Sequence, residues 1–392
     1  SITDNRMVWL DVIRCVAMLM VIGVHCIDPF YISPTMRVIP EYTHWAAIYG
    51  SLLRPSVPLF VMMTGLLLLP VRQEQPLGTF YKKRIFRVLF PFLIWSVLYS
   101  MFPWFTGLLG LPKEIIGDFF CYTQGHESQS LMDSLKDVAM IPFNFSHKEN
   151  HMWYIYLLIG LYLYMPFFSA WVERASNKTK QVFLFIWIVS LFIPYIREYV
   201  ANWLFDRSGY VFGTDTWNEF SMLYYFAGFN GYLLLGHYVK ENKDGNILKI
   251  FWPFSGNGES DRHNSNWSVW KTFLICAVMF AVGYYVTYTG FSTTAANPNA
   301  TETEMELYFT FCSPNVLLMK KVVVNTPVVV KALANMTKCG FGIYMVHYFV
   351  VGPFFLLIGP SEIPIPLQVP LMAVCIFLCS WAFTAAVYKV IP

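Results

Sequence analysis

The chain has 392 residues, 56% of them hydrophobic and 18% aromatic, and only 13% charged, about half the ~25% of an ordinary soluble domain. That balance excludes a soluble globular protein and points to an integral membrane protein, and a net charge of +3 gives no ground for expecting nucleic acid as a partner. The eight cysteines stand singly, mostly within apolar runs and without a C-x-x-C pair, so neither a disulfide framework nor a metal site is expected.

Apolar runs near the ~20 residues that a helical span needs occur at about 11–28, 52–70, 88–108, 151–171, 181–200, 217–237, 271–291, 304–320, 338–358 and 367–388. They predict an all-α, polytopic protein of about ten transmembrane helices, one membrane-embedded domain over 1–392. The first run carries Asp11 and Arg14 and lacks a small-residue cleavage site, so it reads as a retained helix. The eighth is interrupted by Pro314 and Asn315, and Pro360 to Pro366 marks a tight turn between the last two.

With the amino terminus placed in the cytoplasm, 20 of the 27 Lys and Arg residues fall on cytoplasmic ends and loops, as the positive-inside rule requires for an even number of spans. Both termini are then expected inside. The longest pieces outside the bilayer are an external loop at 109–150 and a cytoplasmic loop at 238–270. Neither is large enough for a catalytic domain, so any chemistry lies in or at the membrane.

Titratable groups at membrane depth are expensive, and each is a functional candidate by default. Arg14 and His25 lie eleven residues apart on the first span, which places them on one helical stripe about 16 Å apart along the axis. Asp11, three residues before Arg14, can reach the guanidinium across the helix face. A neutral imidazole at His25 suits a general base, one nitrogen accepting a proton while the other is held by a partner.

Further along, Thr64-Gly65 interrupts the second span, and Phe80-Tyr-Lys-Lys83-Arg84-Ile-Phe-Arg87 precedes the third. Arg84 and Arg87 stand on one helical face, and arginine suits multidentate phosphate contacts; anionic lipid headgroups are the competing partner for the same charges. His147 and His151 are expected as exposed loop or interface histidines, beside an ordinary aromatic belt at Trp153 and Tyr154. In the ninth span Tyr344 and His347, three apart, share a face.

These patches together resemble the membrane-bound acyltransferase 3 family. They are Leu10-Asp11-Val-Ile-Arg14-Cys-Val-Ala17 continuing to His25, Phe60-Val-Met-Met-Thr64-Gly65, the run from Phe80 to Arg87 leading into Pro91, His151-Met-Trp153-Tyr-Ile-Tyr, and Gly340-Phe-Gly-Ile-Tyr344-Met-Val-His347. The resemblance runs along nearly the whole chain. Cys15, where an aliphatic or small residue is usual, and Thr64, where serine usually precedes the glycine, depart from the family pattern conservatively.

The resemblance implies transfer of an acyl group, most often acetyl, from a coenzyme A thioester to a hydroxyl of a cell-envelope glycan, lipid-linked glycan or related acceptor, in the cell inner membrane. The family's first-helix arginine and histidine match Arg14 and His25, and its paired basic residues match Arg84 and Arg87. On this reading Arg84, Arg87, Arg14 and Lys83 meet the phosphates of acetyl-CoA or another short acyl-CoA. The pantetheine arm crosses the gap to His25, and oxyanion stabilisation comes from Tyr344, Thr64 or a backbone amide. Arg14, Asp11 and His347 complete the candidate catalytic set with His25 and Tyr344. Oligomerisation stays open, and the rival class is a transporter or flippase for an anionic or glycosylated substrate, which also needs titratable groups inside helices.

Overall fold

A computed structural model of the chain describes residues 7–32, 38–71, 76–110, 129–145, 147–197, 218–242, 247–251, 269–295, 326–359 and 361–390, with a few single positions besides. The described elements are helical, with no strand among them: α1 (Val8–Ile32), α2 (Pro40–Leu53), α3 (Ser56–Leu68), α4 (Leu77–Leu108), α5 (Leu131–Met140), α6 (Trp153–Arg174), α7 (Asn177–Tyr195), α8 (Asn230–Glu241), α9 (Val269–Ala295), α10 (Pro327–Ile358) and α11 (Ile365–Val390). Short 3-10 turns at His147–Met152, Ser221–Leu223 and Leu248–Phe251 punctuate them. The all-α expectation holds.

Among the described residues, seven segments are long and apolar enough to cross a membrane, against the ten expected. Two of the predicted spans account for part of the difference. The run at 304–320, with Asn315, lies outside the described residues. The run at 217–237 is not one helix: Ser221 and Gly228 take positive φ (54° and 95°), and the chain enters a helix only at α8, whose 12 residues reach about 18 Å. The expected run at 181–200 corresponds to α7, which starts at Asn177 and carries Lys178 and Lys180 in its first turns.

Other boundaries differ for identifiable reasons. The second span starts at Pro40, twelve residues before the predicted run, because Glu41, Thr43 and His44 dilute its hydropathy, and it breaks at Arg54-Pro55 into α2 and α3, where proline has no N–H to continue the ladder. The basic run lies on the first turns of α4, which begins at Leu77, and not in a connection before it. The segment expected as the external loop, 109–150, holds α5, capped by Ser130 Oγ accepting from the Asp133 N–H at 3.1 Å.

Helix α1 is the centre of the molecule, packed against α2, α3, α10 and α11. Ile13, Ala17, Ile22, Cys26, Ile27 and Phe30 on it are fully buried, as expected of a mostly apolar helix enclosed by others. Helices α3 and α8 cross with their backbones almost in contact: a Cβ on Gly65 would lie 2.0 Å from the Leu233 carbonyl oxygen, and one on Gly236 the same distance from that of Met62. Only glycine permits that approach. Phe86, Phe90 and Phe105 of α4 and Leu274, Val278 and Val282 of α9 are exposed, apolar surface of the kind a bilayer covers.

Candidate active site

Continuous helical geometry over α1 sets its titratable residues in two stations. At one, Asp11 Oδ1 lies 3.9 Å from an Arg14 guanidinium nitrogen, so the carboxylate does hold the arginine across one turn. At the other, His25 Nδ1 lies 2.9 Å from Asp28 Oδ2. Asp28 is absent from the candidates that the sequence suggests; its spacing of three from His25 is the signal that identifies it.

Helix α10 packs along α1. Its Thr337 and Gly340 lie at the level of Arg14, and its His347 ring is 5.4 Å from that of His25. His347 is 0% exposed, and its Nδ1 is 2.7 Å from the Tyr344 carbonyl oxygen one turn back.

A third imidazole arrives from an element expected to be peripheral. His151, expected as an exposed loop or interface histidine, is 1% exposed. Its ring lies 5.1 Å from His347 and 6.3 Å from His25. The 3-10 turn that leads into α6 has a non-helical Glu149 (φ −138°, ψ 39°), which swings the chain inward. His151 then stacks on Tyr348 at 4.5 Å and meets Tyr99 of α4 edge-on at 5.3 Å. Hydropathy reads this stretch as a membrane rim because nothing in one segment shows that α4 and α10 supply an aromatic cage for it. The side chain of His147 lies outside the described ones.

Three helical elements thus bring three imidazoles to one buried place, fastened by Tyr344, whose hydroxyl donates to the His151 carbonyl oxygen. Tyr99 donates to the Met345 carbonyl oxygen at 2.8 Å. Among the described residues no group of His, Cys, Asp or Glu is arranged to hold a metal ion.

Between this cluster and the Arg14 end lies a cavity of about 260 Å³, lined by Arg14 and Cys15 of α1, Tyr154 and Tyr162 of α6, and Gly340 and Tyr344 of α10. It is smaller than the ~300–1,000 Å³ that encloses a whole drug-sized ligand, so it suits an extended arm and not a complete nucleotide. No histidine lines it. Tyr344 is shared by both places: it forms cavity wall on one side and holds His151 on the other.

The basic pair of α4 stands at the Arg14 end. Arg84 and Arg87 act electrostatically on the Tyr162 phenol, a cavity-wall residue, although neither arginine lines the cavity itself. Lys83 is exposed and is not brought to the cavity wall.

Thr64, an expected oxyanion candidate, is set back from the cavity, behind its wall residue Tyr154. Its hydroxyl donates to the Phe60 carbonyl oxygen at 2.9 Å, and neither it nor Gly65 lines the cavity; the Gly65 of that motif serves the α3–α8 crossing. Sequence reasoning also passes over Arg54. It is half-buried at the break between α2 and α3, and its neighbour Leu53 lies where a Cβ on Gly23 would fall, 2.8 Å from the Leu53 Cδ1. An arginine midway through a span is a signal in its own right.

Comparison with known proteins gives one family. Residues 7–385 match the model of an acyltransferase domain, that of the acyltransferase 3 group. No curated protein and no solved structure matches the chain.

Proposed function

Because the chain belongs to the acyltransferase 3 family, a family of acyl-transferring enzymes, we propose that it moves a short acyl group, acetyl in the first instance, from coenzyme A to a hydroxyl of a cell-envelope glycan or related acceptor. The observation that carries the reading is the succession along α1: an arginine on a cavity wall, the cavity, and then an imidazole held at Nδ1 by a carboxylate. A thioester donor needs an anion contact for its phosphates, a passage for its arm and a base where the arm ends.

The residues divide that work. Arg84, Arg87 and Arg14 hold the phosphates by charge-assisted hydrogen bonds, with Lys83 adding field from the exposed face. The acyl-bearing arm threads the cavity past Gly340 and Tyr344. Asp28 accepts the Nδ1 proton of His25 and leaves Nε2 unprotonated, so that His25 takes the proton of the acceptor hydroxyl as its oxygen attacks the thioester carbonyl. Direct transfer needs no enzyme nucleophile, and none is needed at Cys26, which is buried on the face away from the stripe.

The excess of basic residues expected at the Arg14 end favours placing that end in the cytoplasm, with the donor arriving from there and the imidazoles in the outer half; the inner membrane is the location that the family resemblance favours. The test is transfer of label from radioactive acetyl-CoA to membrane extract by the purified protein. Wild type is expected to transfer and His25→Ala to lose transfer while remaining folded; equal transfer by both would remove His25 as the base.

A further inference from the structure

The three imidazoles are not equivalent, and their partners fix what each can do. The Tyr344 carbonyl oxygen only accepts, so His347 Nδ1, at 2.7 Å from it, carries the proton; a neutral His347 therefore presents a bare lone pair at Nε2. His25 is in the same condition, since its Nδ1 faces the Asp28 carboxylate at 2.9 Å. Two rings of the cluster are thus proton acceptors. Neither offers an N–H to a developing negative charge.

Three hydroxyl donors nearby are committed. Tyr344 donates to the His151 carbonyl oxygen, Tyr99 to that of Met345 and Thr64 to that of Phe60. Among the described residues, however, both ring nitrogens of His151 are buried with no hydrogen-bond partner. The Met345 carbonyl also faces this ring, but outside hydrogen-bonding geometry and already accepting from Tyr99. A buried imidazole left in that state costs free energy unless a ligand completes it.

We propose that His151 is a catalytic residue that donates its ring N–H to the thioester carbonyl oxygen as it becomes the oxyanion of the tetrahedral intermediate. The inference rests on the acyl-transfer reading above. The acceptor oxygen bonds to the carbonyl carbon, its proton passes to His25 Nε2, and the carbonyl π pair moves onto the oxygen held by His151. Collapse of the intermediate breaks the C–S bond, and the coenzyme A thiolate takes the proton from His25. His151 neither gains nor loses a proton over the cycle. Its cage of Tyr99 and Tyr348 fixes the ring before substrate arrives, which is the condition under which an oxyanion donor is most effective.

Two variants of the purified full chain, assayed with radioactive acetyl-CoA and membrane extract, separate this role from others. His151→Met removes the donor and is expected to lower kcat by about 10²- to 10³-fold, with KM for acetyl-CoA within about threefold of wild type. His151→Gln keeps an amide N–H, and is expected to recover at least about tenfold over His151→Met and to retain the wild-type pH profile. A folded His151→Met within threefold of wild-type kcat overturns the proposal, as does a Gln variant no better than Met. Should the Met variant not fold, the Gln variant decides alone: reduced kcat on an unchanged pH profile supports a donor, and an altered profile makes His151 a base and overturns it. Absence of transfer by wild type would defeat the acyl-transfer reading itself, whereas transfer by wild type with indifference at position 151 defeats only this assignment.

Discussion

His25 and Asp28 face each other across one turn of α1, with Nδ1 and Oδ2 2.9 Å apart. The carboxylate fixes which ring nitrogen carries the proton and which way the other points, much as the aspartate of a Ser-His-Asp triad does for its histidine. Asp28→Asn preserves size but replaces the acceptor with an amide that can turn its N–H to the ring and impose the wrong tautomer. A fall in kcat of at least about 10²-fold is expected, with coenzyme A affinity by calorimetry unchanged. A kcat within threefold of wild type would reduce the pair to a structural contact.

Arg84 and Arg87 are assigned the donor's phosphates. Hydrogen bonds to charged groups contribute about 1.5–3 kcal/mol each, so the double variant Arg84→Ala with Arg87→Ala is expected to weaken coenzyme A binding by tenfold or more in calorimetry. Affinity equal to wild type would move the phosphate site elsewhere. Lys83→Ala, removing an exposed charge, is expected to change affinity much less and to lose that small effect in high salt.

Gly340 separates passage from fold. It lines the cavity, yet an added Cβ there meets nothing within 4 Å, so Gly340→Val fills passage without straining α10 against its neighbours. Thermal stability close to wild type is expected, with KM for acetyl-CoA raised by about tenfold, the scale on which methylene-sized changes in a pocket are felt. An unchanged KM would take the donor arm out of this cavity.

Gly65 and Gly236 behave oppositely. A methyl on either would lie 2.0 Å from a backbone oxygen of the facing helix, which only movement of a helix relieves. Gly65→Ala is expected to destabilise the protein by at least about 1–3 kcal/mol, the usual cost of overpacking, and to lower its melting temperature in detergent. A melting temperature equal to wild type would show that α3 and α8 do not cross so closely.

Much of this arrangement is legible in the sequence wherever the signal sits within one segment. The Arg14 and His25 stripe and the Asp11 contact come from helical spacing, and the apolar runs locate α1, α6, α9 and α11 to within a few residues. What spacing cannot report is which segment faces which. His151 reads as a rim residue because its burial is supplied by Tyr99 and Tyr348 from helices distant in sequence. Thr64-Gly65 reads as a polar intrusion with chemical purpose, whereas the glycine is there for Leu233 on α8. Hydropathy misplaces the second span because His44 and Glu41 lower it while the helix continues through them, and Pro55, not a loop, ends α2.

The central claim is that one donor molecule joins the basic pair of α4 to the imidazole cluster through the cavity. Cryo-electron microscopy of the full chain with a non-hydrolysable acetyl-CoA analogue tests it most directly. The account predicts density with phosphates at Arg84 and Arg87, the pantetheine arm passing Gly340 and Tyr344, and the acyl carbonyl within hydrogen-bonding distance of His151 and beside His25. Phosphates bound at the His25 end, or an arm outside the cavity, would contradict it.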